Sequence, residues 1–319
     1  MDEFQLINSY FSKISKKNKY ALNLNDDVFF DYKNGVVVSV DTYNIKKHFI
    51  NFDHPELVFK KILRSSISDL VCKGVLPKFY FISGSGNKKI FNKKNLLKIS
   101  KSLEEEQKKF KIFLSGGDTT FSNQASFTII TLGYSNKIIL RNKAELNDDI
   151  YVTGNLGDSF LGLEILKKRI KTNKNLSSYF INKYYKPDIH LNISKYLFRF
   201  ANTSIDISDG LFNDLGKMIN KQNLSFCLNL EKIPISNPMK KIIKIKKLKK
   251  ADLISNGDDY QILFTANSKK AKIIKKISKI LQIKISKVGK IINNKKRSAI
   301  IDKKGREIVL KNKGYIHQF

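Results

Sequence analysis

Carboxylates are scarce in this chain, which has 28 Asp and Glu against 60 Lys and Arg, yet several stand close together or where strand-like runs end. The stretch SIDISDGLFNDLG, residues 204–216, carries Asp206, Asp209 and Asp214. GVVVSVD closes on Asp41, KIFLSGGDTT reaches Asp118 through Gly116 and Gly117, NDDVF holds Asp26 and Asp27, and SISDLVCKG holds Asp69. Loops at strand ends are where a rigid scaffold presents reactive groups. Brought together, these carboxylates would repel, and such a cluster is tolerable only when cations neutralise it. Hard oxygen ligands select Mg2+ or Ca2+ over zinc, and no twelve-residue D-x-D-x-D-G loop ending in Glu occurs to make an EF-hand. Four scattered His and two Cys leave little for a transition metal. Magnesium that keeps waters and bridges to phosphates is the usual partner of acidic sets in ATP-using enzymes, so phosphoryl transfer is the reaction to expect. The chain has no GxxxxGK[ST] P-loop and no HRD or DFG set. GSGNKK at 84–89 lacks the P-loop spacing and reads as a turn, and no G-x-S-x-G elbow is present. Taken singly, Asp209 before Gly210 reads as a helix cap, Gly-Gly-Asp at 116–118 as a turn, and Asp214 as an ordinary helix residue. The chemistry rests on the set.

The elements that must position these residues follow from the apolar pattern. Residues 35–41 form a short β-branched run, and SFTIITLGY is a further strand. PELVFKKILRSSISDLVCKG has helical spacing, stops at Gly74 and carries Asp69 inside it, while KNLLKISKSLEEEQKKF reads as an amphipathic helix. Near residue 136 the pattern changes. A strand then runs into Gly154, NLGDSFLGLEILKKR is a loop feeding a helix, and SIDISDGLFNDLGKMIN repeats that plan. ISNGDDYQILFTA is a loop and a strand, and the tail has short strands broken by NNKK and DKKG. KKIIKIKKLKK reads as a solvated helix. The expected fold is mixed α/β in two domains, 1–136 and 137–319.

A formal charge of +32 suggests nucleic acid, because a basic surface gains from counterion release. Only six of the basic residues are Arg, and the Lys are spread with Ile and Asn, so no segment combines Arg forks with aromatic stacking platforms. Specific nucleic-acid binding is therefore not expected, although a basic nucleic-acid-binding protein remains the rival of a different class. No apolar run reaches the roughly 18 residues that span a bilayer, and MDEFQLINSY lacks a signal-peptide pattern. A soluble, cytoplasmic protein is expected. Cys72 and Cys227 form no CxxC pair and read as two buried free thiols.

In their order along the chain the motifs resemble those of the thiamine-monophosphate kinase family, within the ATP-binding superfamily of aminoimidazole ribonucleotide synthetase. NDDVF (25–29) is similar to the family's GDDAA, SVDTYNIKKHF (39–49) to STDT…HF, and SISDLVCKGVLP (66–77) to NLSDLAAMGAKP. LSGGDTT (114–120) follows, then RNKAELNDDIYVTGNLGDSFLGL (141–163), which is similar to R-x-GA-x-x-GD-x-x-x-VTG-x-LGDS-x-x-GL. IDISDGLFNDLG (205–216) resembles MDISDGLAADLG, SNGDDYQILFT (255–265) resembles GGEDYELLFT, and the final GYIHQF resembles GWxHF. Asn25, Ser66, Asp258 and Tyr315 depart from the family's Gly, Asn, Glu and Trp, and Asn256 breaks a Gly-Gly pair.

The resemblance implies a two-domain fold whose N-terminal domains pair in a homodimer, with ATP and several Mg2+ ions between the domains. It implies metal ligation by Asp27, Ser39 and the backbone of Val40, Asp41, Asp69, Asp118, Asp206 and Asp209. Nucleotide contacts fall on Gly117, Asp118, Arg141 and Ser208, and thiamine monophosphate contacts on His48, Asp258 and Tyr315. The implied reaction is attack by a phosphate oxygen of thiamine monophosphate on the γ-phosphorus of ATP. Selenophosphate synthetase would call for a reactive Cys near the N-terminus, and the carbamoyl-dehydrating maturation enzyme for a C-terminal Cys; neither occurs. Aminoimidazole ribonucleotide synthetase is the enzymatic runner-up, its acceptor motifs differing from the GDDYQ and GYIHQF blocks.

Overall fold

Side-chain alternation at period two builds the first sheet. In the computed structural model, which describes residues 1–315, it contains β1 (Phe29–Asp31), β2 (Val36–Asn44), β3 (Pro77–Gly86), β4 (Phe113–Phe121) and β5 (Ser126–Tyr134). Their order is β1-β2-β5-β3-β4, with β3 and β4 parallel and the other neighbours antiparallel. β2 pairs with β5 from Val36 opposite Tyr134 to Asn44 opposite Ser126, so Val37, Ser39, Asp41 and Tyr43 share one face and Val40 and Thr42 the other. The first of these faces meets α3 (Pro55–Cys72), which packs on α4 (Lys93–Phe110). Phe127 anchors this core, edge-on to Phe59 at 4.8 Å and stacked on Phe52 at 5.5 Å. Buried Arg64 forks onto Glu106 at 2.7 and 2.8 Å, tying α3 to α4. Two short helices, α1 (Glu3–Leu6) and α2 (Ser12–Ser15), precede the sheet.

The second sheet holds β6 (Asp149–Thr153), β7 (Thr203–Asp206), β8 (Leu224–Asn229), β9 (Ile262–Ala266), β10 (Ile285–Asn293) and β11 (Ala299–Ile301) in the order β11-β8-β10-β6-β9-β7. β6, β7 and β9 are buried throughout, which is why ILFTA and DIYVT read as near-continuous runs instead of alternating. One buried cluster gathers Val152, Ile205, Leu211, Leu215 and Leu263; another gathers Phe264, Tyr151 and Leu197 with Ile274 and Ile277. The helices are α5 (Asp158–Leu166), α6 (Lys174–Tyr185), α7 (Leu191–Leu197), α8 (Leu211–Met218), α9 (Asn237–Lys246), α10 (Lys250–Ile254) and α11 (Ala271–Leu281). The structure is thus mixed α/β with two sheets, as expected from the sequence.

α3 belongs to both halves. It is buried along most of its length, and its last turn meets β7, where Ser204 Oγ donates to the Cys72 carbonyl at 2.5 Å. Three sequence expectations need correction. β3 runs through Gly86, so GSGNKK turns only beyond it, with Ile90 packed close over Gly86, 3.0 Å from where a Cβ would lie. α9 buries Met239 and Ile242, so KKIIKIK belongs to an amphipathic helix with one face inside and is not solvated all round. Cys72 is buried, but Cys227 on β8 is partly exposed. No helix among the described residues is long and apolar enough to cross a membrane.

Candidate active site

Four elements converge where the sheets meet. Asp27 lies before β1, Asp41 on β2, Asp69 near the end of α3, and Asp206 at the end of β7. One carboxylate oxygen each from Asp27, Asp69 and Asp206 lies within 4.8 Å of the others. Hydroxyls support the acids: Ser39 Oγ donates to Asp69, Tyr43 Oη to Asp41 at 3.1 Å, and Ser68 Oγ to Asp206 at 2.6 Å. Burial raises the pKa of Asp41, and burial followed by repulsion from Asp41 and Asp206 raises that of Asp69 well above the carboxylate range. Asp206 is pushed up to about 6, by burial first and then by Asp41, against the opposing bond from Ser68. An all-oxygen donor set, half-buried at Asp27 and Asp69 and buried at Asp206, fits a hard divalent cation.

Cations of the chain itself line the Asp27 side. Arg141 forks onto Asp27, and its backbone N–H donates to Asp26 Oδ2 at 2.9 Å. Lys73, fully buried, places Nζ 2.7 Å from both Asp26 Oδ1 and Asp27 Oδ2 and donates to the Ser204 carbonyl at 2.8 Å. Arg141 and Asp27, which the resemblance assigned separately to the nucleotide and to metal, are thus ion-paired with each other. Lys73 was not anticipated. Its only signal in the sequence is a charge set in the apolar stretch DLVCKGV, easily lost among so many lysines.

The loop SDG that follows β7 is fixed from several sides. Asp214 Oδ2 accepts the backbone N–H groups of Asp209 at 3.0 Å and Gly210 at 2.9 Å. Asp214 is thus a fully buried loop clamp and not an ordinary helix residue: one turn into α8 its carboxylate reaches back over the helix start. Burial, and then Asp209, pushes its pKa up to about 8. Gly210 sits at φ +121° with no room for a Cβ, which would lie 2.3 Å from the Ser255 carbonyl oxygen. The NGDD loop closes over Ser208, whose carbonyl accepts from Asp258 N at 2.8 Å. The Asp209 carboxylate is ion-paired with Lys217 and lies outside the trio. The Tyr315 N–H donates to the Asp209 carbonyl at 2.9 Å, so the tail docks on this loop; residues 316–319, the rest of GYIHQF, lie outside the described residues.

A second group gathers around Lys61 on α3. Its buried ammonium lies 2.9 Å from Asp258 Oδ1 and 3.6 Å from the centre of the Tyr184 ring. Tyr260 Oη donates to Asp258 at 3.0 Å, and Tyr184 Oη to the His48 carbonyl at 3.1 Å. His48 Nδ1 accepts from Asn44 N at 2.9 Å. His48 and Asp258 are thereby brought to one place, with Lys61 and Tyr184 as connectors the sequence did not reveal. Gly117 and Asp118 lie apart on exposed β4, beside exposed Phe113, Leu114 and Phe121. Only glycine fits at 117, where a Cβ would meet the Ile82 carbonyl oxygen at 1.8 Å. Val40 is exposed on the same sheet.

Residues 24–134 match the family model described as AIR synthase related protein, N-terminal domain. Within the two-sheet fold, this marks residues 24–134 as an AIR synthase-related domain. The solved structure AaThiL complexed with AMPPCP and TMP shares the fold with a TM-score of 0.85, at 23% identity, over 99% of this chain and 97% of that one. Thiamine-monophosphate kinase of Buchnera aphidicola subsp. Schizaphis graminum is 32% identical to it over 323 residues, which cover 99% of this chain and 98% of the relative. The Bacillus subtilis (strain 168) thiamine-monophosphate kinase is 27% identical over 99% of each chain. The chain belongs to the thiamine-monophosphate kinase family of enzymes.

Proposed function

We propose that the chain transfers the γ-phosphoryl group of ATP directly and in line to thiamine monophosphate, with Mg2+ assistance, giving thiamine diphosphate and ADP in the cytoplasm. The observation that carries this reading is the trio Asp27, Asp69 and Asp206, gathered within 4.8 Å at the sheet junction. It is supported by a family relative aligned over almost the whole chain and by AaThiL, whose complex holds AMPPCP and TMP. Asp27, Ser39, the Val40 backbone, Asp41, Asp69, Asp118, Asp206 and Asp209 would hold Mg2+. When bound, these ions supply charge neutralisation for the phosphates of both substrates. Gly117, Asp118, Arg141 and Ser208 orient the nucleotide, with the guanidinium suited to a bidentate phosphate contact. His48, Asp258 and Tyr315 orient the acceptor. No side-chain base is required, because a phosphomonoester with its second pKa near about 6 is already largely ionised at neutral pH. What the chain must do is hold two polyanions in line against their repulsion.

Two further readings accompany this one. The chain divides near 136, since strands of the first sheet fall within 29–134 and those of the second within 149–301. The first sheet pairs with that of a second copy: Val40, Phe79, Phe113, Leu114 and Phe121 leave an exposed apolar surface reaching β4 and Asp118. The decisive assay is ADP release across a Mg2+ titration with and without thiamine monophosphate. Release that requires both supports the reading, and release indifferent to thiamine monophosphate refutes it.

A further inference from the structure

The acidic junction already contains a cation that the chain supplies. Lys73 has no exposed surface, and its ammonium has three acceptors, Asp26 Oδ1, Asp27 Oδ2 and the Ser204 carbonyl, at 2.7, 2.7 and 2.8 Å. Three acceptors use all three N–H bonds, so the position of the charge is fixed. Asp27 is one of the clustered trio, which puts the ammonium directly against the cluster. A divalent cation held by Asp26 and Asp27 on this side would need the volume that the ammonium fills. Packing alone does not call for Lys here. The surrounding segment is apolar, and burying a charge is costly unless it is paired.

We propose that Lys73 is a built-in counter-ion that occupies the place of one divalent cation on the Asp26 and Asp27 side, so that this chain assembles its site with one metal ion fewer than its carboxylates alone would accept. The inference rests on the reading of the junction as a Mg2+ site. Both carboxylates accept from the chain's own donors, but Asp27 and not Asp26 is grouped with Asp69 and Asp206, so an ion shared with those two would be held through Asp27.

Equilibrium dialysis with Mn2+ as the probe, on EDTA-cleared full-length protein without nucleotide, tests this by counting ions per chain. Lys73→Met is expected to bind one ion more than the unaltered chain, and Asp26→Asn the same number as the unaltered chain. Equal counts for Lys73→Met and the unaltered chain overturn the proposal, as does the loss of an ion in Asp26→Asn. If Lys73→Met does not fold, Asp26→Asn decides, being nearly isosteric. Absence of Mn2+ from the unaltered chain overturns the metal reading and this inference with it. A positive count that is the same in Lys73→Met overturns this inference alone, and the thiamine monophosphate-dependent ADP assay is a separate readout.

Discussion

Replacing Asp206 with Asn should make the ion-free protein more stable and leave it inactive. Asp206 is 3% exposed, and its pKa is raised from 3.8 to about 6, chiefly by burial. At about 1.4 kcal/mol per unit, a shift of about two units means that ionising the folded protein costs about 3 kcal/mol once the pH is well above 6. The folded state holds this proton more tightly than the unfolded chain does. The associated stability is therefore complete below about pH 4 and is lost as the pH rises through 6. Asn keeps the shape and carries no charge, so in EDTA at pH 7.5 Asp206→Asn should gain up to about 3 kcal/mol, or about 4 °C in Tm for a chain of this length. The gain should shrink as the pH falls below 6 and vanish below about 4. Adding Mg2+ should raise the Tm of the parent and not of the variant, because only a state that binds the ion is stabilised by it. ADP formation should fall at least about 100-fold, the cost expected from losing one electrostatic contact to the reacting phosphates. Differential scanning fluorimetry over pH 4 to 8, with a parallel ADP assay, reads all of this. A variant that melts at or below the parent in EDTA at pH 7.5 would refute the reasoning, since Arg141 and Lys73 would then more than compensate the burial of the charge.

Asp214→Ala orphans the Asp209 and Gly210 N–H groups and should cost about 2 kcal/mol by urea denaturation, together with at least about a tenfold loss of turnover; unchanged turnover would return Asp214 to a purely helical role. Lys61→Met should raise KM for thiamine monophosphate about tenfold and leave KM for ATP unchanged, since Lys61 holds Asp258; steady-state kinetics showing an equal rise for both substrates would refute this. Gly117→Ala drives a Cβ into the Ile82 carbonyl at 1.8 Å and should lower stability by at least about 3 kcal/mol, so an unchanged urea midpoint would count against the β3–β4 register. Phe121→Asp, on the exposed edge, should leave a monomer in sedimentation velocity if the first sheet pairs two copies, and a dimer that survives it would place pairing elsewhere.

Strand-end acids were readable because the strands announce themselves. GVVVSVD must alternate, which places Ser39 and Asp41 on one face, and SID precedes a Gly that needs φ +121°, which marks the loop. Asp69 was visible only as a charge inside an apolar helix pattern, a place where a carboxylate must have company. Asp214 was misjudged for a physical reason. Spacing along a helix says which way a side chain leaves the axis, and not that it can fold back to the preceding loop and take two backbone N–H groups. The cationic partners were hidden more deeply. Lys73 is separated from Ser204 by 131 residues and Arg141 from Asp27 by 114, and such pairings exist only once the sheets have met. The group around Lys61 was only partly legible: the motifs singled out His48 and Asp258, but Tyr184, which ties them through Lys61, lies in a helix that carries no motif.

Cation pairing recurs around the junction, beside Asp41, Asp69 and Asp206, which hydroxyls support instead. Asp26 and Asp27 face Lys73 and Arg141, Asp209 faces Lys217, and Asp258 faces Lys61. These four cations have side chains no more than 14% exposed, unlike lysines such as Lys108 at 75%. The distinction has an energetic meaning. Surface lysines attract anions only across a screened layer of about 8 Å at physiological salt, and their pairs contribute little. Buried cations hold their field under the same salt, and their desolvation is already compensated by the carboxylates beside them. A phosphate entering between such pairs meets positive charge that needs no reorganisation, whereas the carboxylates remain able to accept an ion that arrives with the nucleotide. Charge of both signs, fixed before either substrate binds, is what a reaction between two polyanions needs. The net charge of +32 is therefore a poor guide to this site, whose electrostatics are set by Lys61, Lys73, Arg141 and Lys217 and not by the many cations in solvent.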